Sequence, residues 1–216
     1  MSGLLIIIGS GGHAAVVADA LLAHGERVLG FTDADHSRHG LSICGLPVLG
    51  DDRVLDEHGP MLKLVNGIGG IGIPASNGLR GRVQRSLEAK GWRFVGVRHP
   101  SAVVSPFSRL GDTVQLLANS VIQAGASVGN GCIVNTAAVV EHDVVLEEFV
   151  HVSCRAVVCG NVQIGARSHI GAGAVVKQGL VLGSDTVVGA GSVVLKSFAA
   201  GATLIGVPAR VMKERE

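Results

Sequence analysis

The chain has 216 residues, a formal net charge of +1, 3% aromatic residues and no tyrosine. That balance excludes a polybasic partner for nucleic acid or membrane surfaces, and it leaves no aromatic platform for stacking single-stranded bases. Cys44, Cys132, Cys154 and Cys159 show neither a CxxC nor a zinc spacing, and no apolar run is as long as a signal peptide or a membrane span. A reducing cytoplasm is therefore the expected setting, with no metal.

Residues 4–8 are uninterrupted apolar and read as a buried parallel strand. Gly9, Ser10, Gly11, Gly12 and His13 form a tight loop, and residues 14–23 read as a helix. A second strand over 27–31 ends at Thr32-Asp33-Ala34-Asp35. In such a βαβ unit the helix N-terminus binds an anion, and the acid, here Asp33, takes a ribose hydroxyl or a base N–H. Gly9 and Gly11 fit the GxGxxG pattern, while Ala14 stands at its third glycine. Residues 65–73 predict a third strand, and 77–90 a helix with an exposed basic face of Arg80, Arg82 and Arg85. Residues 94–97 lead into His99-Pro100. An α/β Rossmann-like domain over 1–98 is short for a dinucleotide, so a mononucleotide or nucleotide-sugar fits it better.

From Val104 to Val194 every sixth residue is Ile, Leu or Val, and the positions two and three later hold none of these. A period of six is that of a parallel β-helix, expected over 99–216. Three hexapeptides make one triangular turn of 18 residues, so sixteen give about five turns, stacked about 4.8 Å apart. Small residues such as Ala126, Cys132, Ala138 and Ala156 point inward with the aliphatics, and the residue between points out. Sorting the outward residues by 18 gives three faces: Val121, Val139, Val157, Val175 and Val193; Gln115, Ile133, His151, His169 and Val187; Arg109, Ser127, Val145, Gln163 and Val181. An all-valine outer column should not stay wet. It predicts a subunit interface, and a cyclic trimer is the natural closed assembly of a triangular prism.

His142 stands at the corner after the valine face, with Gly160 one turn further on. Asn135 and Thr136 lie at the opposite edge of that face. A trimer would bring the histidine of one chain to the polar groups of the next. Histidine suits proton transfer near neutral pH, and Asp143 or Glu141 could orient its ring.

The order GSGGH, FTDAD, hexapeptides, NTAAVVEHD, HVS, CGNV and GVPAR resembles the bacterial sugar acyltransferases of the NeuD/PglD type. The resemblance implies a trimeric, left-handed β-helix that uses acetyl-CoA. It implies His142 as general base with Asp143, Asn135 in the polar site, and His151, Gly160 and Gly173 near the acyl donor. Pro208 and Arg210 of GVPAR would pack beside coenzyme A, and Arg155 could meet a donor phosphate. Gly9, Gly11, Gly12 and His13 would hold the sugar-nucleotide phosphates, and Asp33 its base or ribose. The implied reaction is N-acetylation of a 4-amino group on a nucleotide-linked sugar, UDP favoured, for bacterial surface glycan synthesis. Relatives acting on UDP-amino-sugars tend to carry Glu where this chain has Asp143. O-acetylation of a hydroxyl, as on sialic acid, is the same-class alternative. A zinc hydratase using His151 and His169, or a non-catalytic nucleotide-sugar sensor, are the alternatives of another class.

Overall fold

The computed structural model describes residues 3–59, 61–70 and 74–212. The N-terminal elements are β1 (Leu5–Ile8), α1 (Gly12–Ala23), β2 (Val28–Thr32), β3 (Ser42–Ile43), β4 (Leu46–Gly50), β5 (Lys63–Asn66) and α2 (Pro74–Glu88). The sheet order is β3-β4-β2-β1-β5, parallel apart from the β3–β4 hairpin. Alternation along β1 divides the core. Leu5 and Ile7 pack toward α1, while Ile6 and Ile8 meet Leu55, Leu64, Leu87 and Phe94.

The third strand is shorter than the predicted 65–73. It ends at Asn66, the next residues form no strand, and 71–73 lie outside the described residues. Gly67 explains the break and also answers for Ala14. A β-carbon at Gly67 would come within 2.6 Å of Ile7 and 2.8 Å of the Ala14 methyl. The close approach of strand and helix that a third loop glycine usually permits is met here from the neighbouring strand. Arg80, predicted on an exposed basic face, is instead buried (4% exposed). It donates to the Phe149 carbonyl at 2.7 Å, which ties α2 to the repeat.

The repeat is a left-handed parallel β-helix of two-residue strands, stacked at an 18-residue step in three sheets. Val121 pairs with Val139, Val139 with Val157, Val157 with Val175 and Val175 with Val193. Its first strand is Val97–Arg98, paired with Gln115–Leu116 and so inside the segment assigned to the first domain. Pairing rather than composition sets that boundary. Every residue three past an inward aliphatic, from Asn119 to Gly191, has φ between 55° and 77°. β-Branched residues are strongly disfavoured there, which is why this position never carries valine or isoleucine.

The three faces differ in cover. The Gln115–His151–His169 face lies under the N-terminal domain: Leu117 and Ile133 share a core with α1. The valine face is half-exposed, and Val145 and Val181 of the third face are exposed. Gln115 clamps the two domains. Its Oε1 accepts from His13 Nε2 at 2.8 Å, and its Nε2 donates to the Asn66 carbonyl. Replacing Gln115 with Leu leaves both partners buried and unpaired. Urea titration should read a loss of about 1–3 kcal/mol, and an unchanged midpoint would show that the clamp contributes nothing.

Candidate active site

His142 sits at the corner after Val139–Val140, and Asp143 next to it occupies the left-handed corner position (φ 58°). That conformation turns the Asp143 carboxylate back to the ring, where Oδ2 lies 2.9 Å from His142 Nδ1. An ionised carboxylate only accepts, so Nδ1 carries the proton and Nε2 keeps its lone pair. Glu141 binds elsewhere, accepting the backbone N–H of His142 at 3.4 Å. Asp143, then, orients the ring.

The ring lies across Gly160. A β-carbon on that glycine would overlap His142 Nε2, Cε1 and Cδ2. Gly160 thus provides the space that the Nε2 edge of the ring occupies. Its N–H makes no hydrogen bond among the described residues. His142 and Asp143 are 64% and 65% exposed. On one chain the pair is open to solvent.

Asn135 lies at the corner before the valine face. Its Oδ1 accepts the Thr136 N–H at 2.8 Å, and its Nδ2 meets His151 Nε2 at 3.1 Å. His151 Nδ1 faces the Gly70 carbonyl at 3.2 Å, so Nδ1 is the donor and Nε2 accepts from Asn135. His151, expected near the acyl donor, is buried beneath the N-terminal domain because its whole face is covered. It reaches the cleft edge only through Asn135. His169 stacks edge-on to His151 at 4.9 Å and meets Ser153 Oγ at 3.1 Å. With their nitrogens bound or enclosed, these two rings do not form an open zinc site. Among the described residues no group of three or more His, Cys, Asp or Glu could hold a metal. None of the described helices is long and apolar enough to cross a membrane.

Arg155 (φ 56°) and Gly173 (φ 67°) stack on successive turns of the Asn135 edge, both exposed. Gly206 donates to Ser192 Oγ at 3.1 Å and Ala209 to the Val193 carbonyl at 2.8 Å. These bonds fix exposed Pro208 and Arg210 at the last valine rung. They share the valine-face region with His142 but do not touch it.

A separate cavity of about 510 Å³ opens on the N-terminal domain, lined by Gly9, Ser10, Gly11, Gly12, His13, Thr32, Asp33, Asp52, Gly67, Ile68 and Gly69 among others. Gly9 has φ 88°, a conformation suited to glycine. No side chain caps α1, whose first residues line this cavity with no carboxylate in the first turn, the arrangement in which a helix N-terminus can receive an anion. Asp33 is more occupied than the sequence implied. It accepts from the Ser10 and Asp35 N–H groups, each at 2.9 Å, and pairs with Arg38 at 3.5 Å. Burial works to raise its pKa, but these hydrogen bonds and Arg38 hold it below the usual carboxylate range. Sequence reasoning missed Arg38, Gln115 and Asp52. Only Asp52, in the acidic pair Asp51-Asp52, left any signal.

Two family descriptions and several solved structures match the chain. Residues 4–87 match the family described as PglD N-terminal domain, and 143–178 match bacterial transferase hexapeptide (six repeats). A perosamine N-acetyltransferase from Caulobacter crescentus, solved as a histidine-to-asparagine variant with CoA and GDP-perosamine, is 40% identical. The match covers 98% of each chain at a TM-score of 0.89. The acetyltransferase domain of PglB from Neisseria gonorrhoeae, solved with acetyl coenzyme A, is 35% identical over 98% of this chain and 100% of that one, TM-score 0.89. WeeI from Acinetobacter baumannii is 25% identical over 97% and 99%, TM-score 0.86.

The buried imidazoles set a pH dependence. Desolvation lowers the pKa of His13 and His151, and takes His169 to about 4 from the usual 6.5. Between those values the unfolded chain binds more protons than the folded one, so stability falls as pH drops from 6.5 toward 4. Urea midpoints measured from pH 7.5 downward should decline, and His169→Gln should flatten the decline. A profile identical in the variant would refute the assignment to His169.

Proposed function

The chain belongs to the NeuD/PglD-type family of bacterial sugar acyltransferases, and we propose that it moves the acetyl group of acetyl-CoA to the 4-amino group of a nucleotide-linked amino-sugar. The carrying observation is the exposed His142–Asp143 pair, with Nδ1 held by Asp143 and the ring seated beside Gly160. The sugar amine attacks the thioester carbonyl, forming the N–C bond as the C–S bond breaks. His142 Nε2 takes the proton from that nitrogen and passes it to the departing thiolate. The free Gly160 N–H suits the developing oxyanion, and holding both substrates in one cleft supplies much of the remaining acceleration. Cys159, next to Gly160, is a poor nucleophile, because burial and the Glu141 carboxylate push its thiol up. That favours direct transfer over an acyl-enzyme.

The exposed dyad calls for a second chain. In a trimer packed on the valine face, the Asn135 edge of one copy would close over the His142 edge of the next. The nucleotide would lie in the N-terminal cavity with its diphosphate at α1. The sequence favours uridine. A guanosine acceptor is a second reading, carried by the GDP-perosamine in the 40%-identical relative and by Asp52 in the cavity. Asp52 Oδ1 accepts from Thr32, which leaves Oδ2 for a second base donor. Guanine offers N1–H and N2–H₂, whereas uracil offers only N3–H. The product would feed surface-glycan assembly in the cytoplasm.

Thiol release from acetyl-CoA with UDP- and GDP-linked 4-amino-sugars tests the reaction, with sialic acid as the hydroxyl control. Turnover on an amino-sugar nucleotide is expected, and turnover on sialic acid alone would move the reading to O-acetylation. His142→Ala should lose about 10²–10⁴ in rate while remaining folded and trimeric, and unchanged turnover would eliminate its role as base. Val157→Glu should yield monomers by sedimentation and abolish turnover with His142 intact. An active monomer would overturn the shared site.

A further inference from the structure

His13 is the second residue of α1 and lines the N-terminal cavity with the loop that precedes it. The state of its ring is set from the β-helix. The Asn66 carbonyl can only accept, so the Gln115 Nε2 that meets it donates. The Gln115 amide is thereby fixed with Oε1 toward His13. That oxygen can only accept as well, so His13 Nε2, 2.8 Å away, carries a proton. Nδ1 is left as the second nitrogen of the ring, and it forms no hydrogen bond among the described residues.

The surroundings do not favour a second proton. Among the described residues no carboxylate pairs with His13. Arg80 of α2 acts on it as a nearby cation, and the His151 ring of the β-helix lies 6.3 Å away, centroid to centroid. From the loop after β5, the Gly69 backbone packs on its side chain, where a β-carbon would stand 3.0 Å from that of His13. Asp33 and Asp52 line the same cavity, but Asp33 is engaged by Ser10, Asp35 and Arg38, and Asp52 accepts from Thr32. Burial lowers the pKa of the imidazole. The Gln115 hydrogen bond works against that fall, and Arg80 adds to it. In the empty cavity the ring is therefore neutral, with a lone pair on Nδ1.

A bound anion reverses that preference. The uncapped start of α1, with no carboxylate in its first turn, suits the diphosphate of the proposed nucleotide-sugar. Phosphate oxygens accept and do not donate. A lone pair on Nδ1 repels them, whereas a proton there makes a charge-assisted hydrogen bond. We propose that His13 takes up a proton when the nucleotide-sugar binds, and holds its diphosphate as an imidazolium through Nδ1. The proton comes from the solvent and returns there when the product leaves. This rests on the nucleotide-sugar reading above. It separates a binding histidine, charged only in the complex, from the proposed base His142. Affinity then falls as pH rises from the lowered pKa of the empty site to the raised pKa of the occupied one, by at most about ten-fold per pH unit.

The test is calorimetric binding of UDP-glucose and GDP-mannose in buffers of low and high ionisation enthalpy, which counts the protons exchanged. Their diester phosphates do not titrate near neutrality, unlike a terminal phosphate with a second pKa of about 6. Wild type should take up a proton fraction approaching about one per chain, and bind more weakly as pH rises. His13→Gln, which can still donate to Gln115, should bind with no uptake and an affinity that is flat with pH. Gln115→Glu sets a carboxylate against Nε2 and charges the ring in advance, so uptake should shrink with His13 intact. Binding without uptake in wild type, or uptake that persists in His13→Gln, would overturn the proposal and leave the nucleotide-sugar reading intact. Binding of neither nucleotide-sugar would remove that reading and the proposal with it.

Discussion

The structure depends on the requirement that the successive corners of the β-helix from Asn119 to Gly191 each hold one residue in the left-handed conformation. A six-residue step closes a triangle only if the chain turns sharply after every short strand. The residue that turns it has φ near +60° at successive corners. Glycine is suited to this, asparagine and aspartate tolerate it, and β-branched residues do not. The rule fixes the 18-residue register, so chemistry can be built by stacking. Asp143 fills a corner that needs such a residue, and the same backbone turn brings its carboxylate to the His142 ring. One turn on, Gly160 provides the space that the ring occupies. The dyad is thus partly a by-product of the corner geometry.

The domain junction follows a different logic, that of buried polar groups needing partners. His13, His151, His169, Gln115, Asn66 and Arg80 are drawn together between the N-terminal domain and one face of the prism. Most are satisfied in pairs, and desolvation keeps the imidazoles neutral. Arg80 is the exception in charge. Burial lowers its pKa to about 10, and its guanidinium lies 5.7 Å from the Phe149 ring centroid while donating to the Phe149 carbonyl. The result is a fixed relation between the N-terminal cavity and the Asn135 edge. His13 lines the cavity, its ring lies 6.3 Å from that of His151, and His151 holds Asn135. In the proposed reaction, a mobile junction would let an acceptor held in that cavity wander relative to His142, and reaction rates fall steeply with such misplacement.

The β-helix was legible because its period is absolute. A residue's phase states whether it faces in, out or around a corner, and a count of 18 states what it stacks on. Hence His142 over Gly160, and the valine column, could be read before any coordinates. The N-terminal domain was legible where its strands are long runs, as at residues 4–8, and not where they are two-residue edges such as Ser42–Ile43. Burial between domains was the main blind spot. Nothing local distinguishes Arg80 from Arg82 or Arg85 on a helix. Nor does phase alone tell that the outer face of His151 is roofed by residues about 80 to 140 positions earlier. Asp33 lines the cavity, but Ser10 and Arg38 already engage it, and short-range pattern cannot see such partners.

The half-exposed dyad connects these points. The base proposed for His142 would work best where its proton-transfer partner is not water, yet about two-thirds of the His142 and Asp143 side chains are open to solvent on one chain. The same chain carries a column of half-exposed valines beside that dyad, with polar Asn135 across it. Covering the valines is favoured by the hydrophobic effect whatever the chemistry requires. A cyclic arrangement that buries them also repeats the His142-to-Asn135 apposition at every interface. Assembly and active-site closure would then be one event, and neither the dyad nor the valine face would need further residues from its own chain.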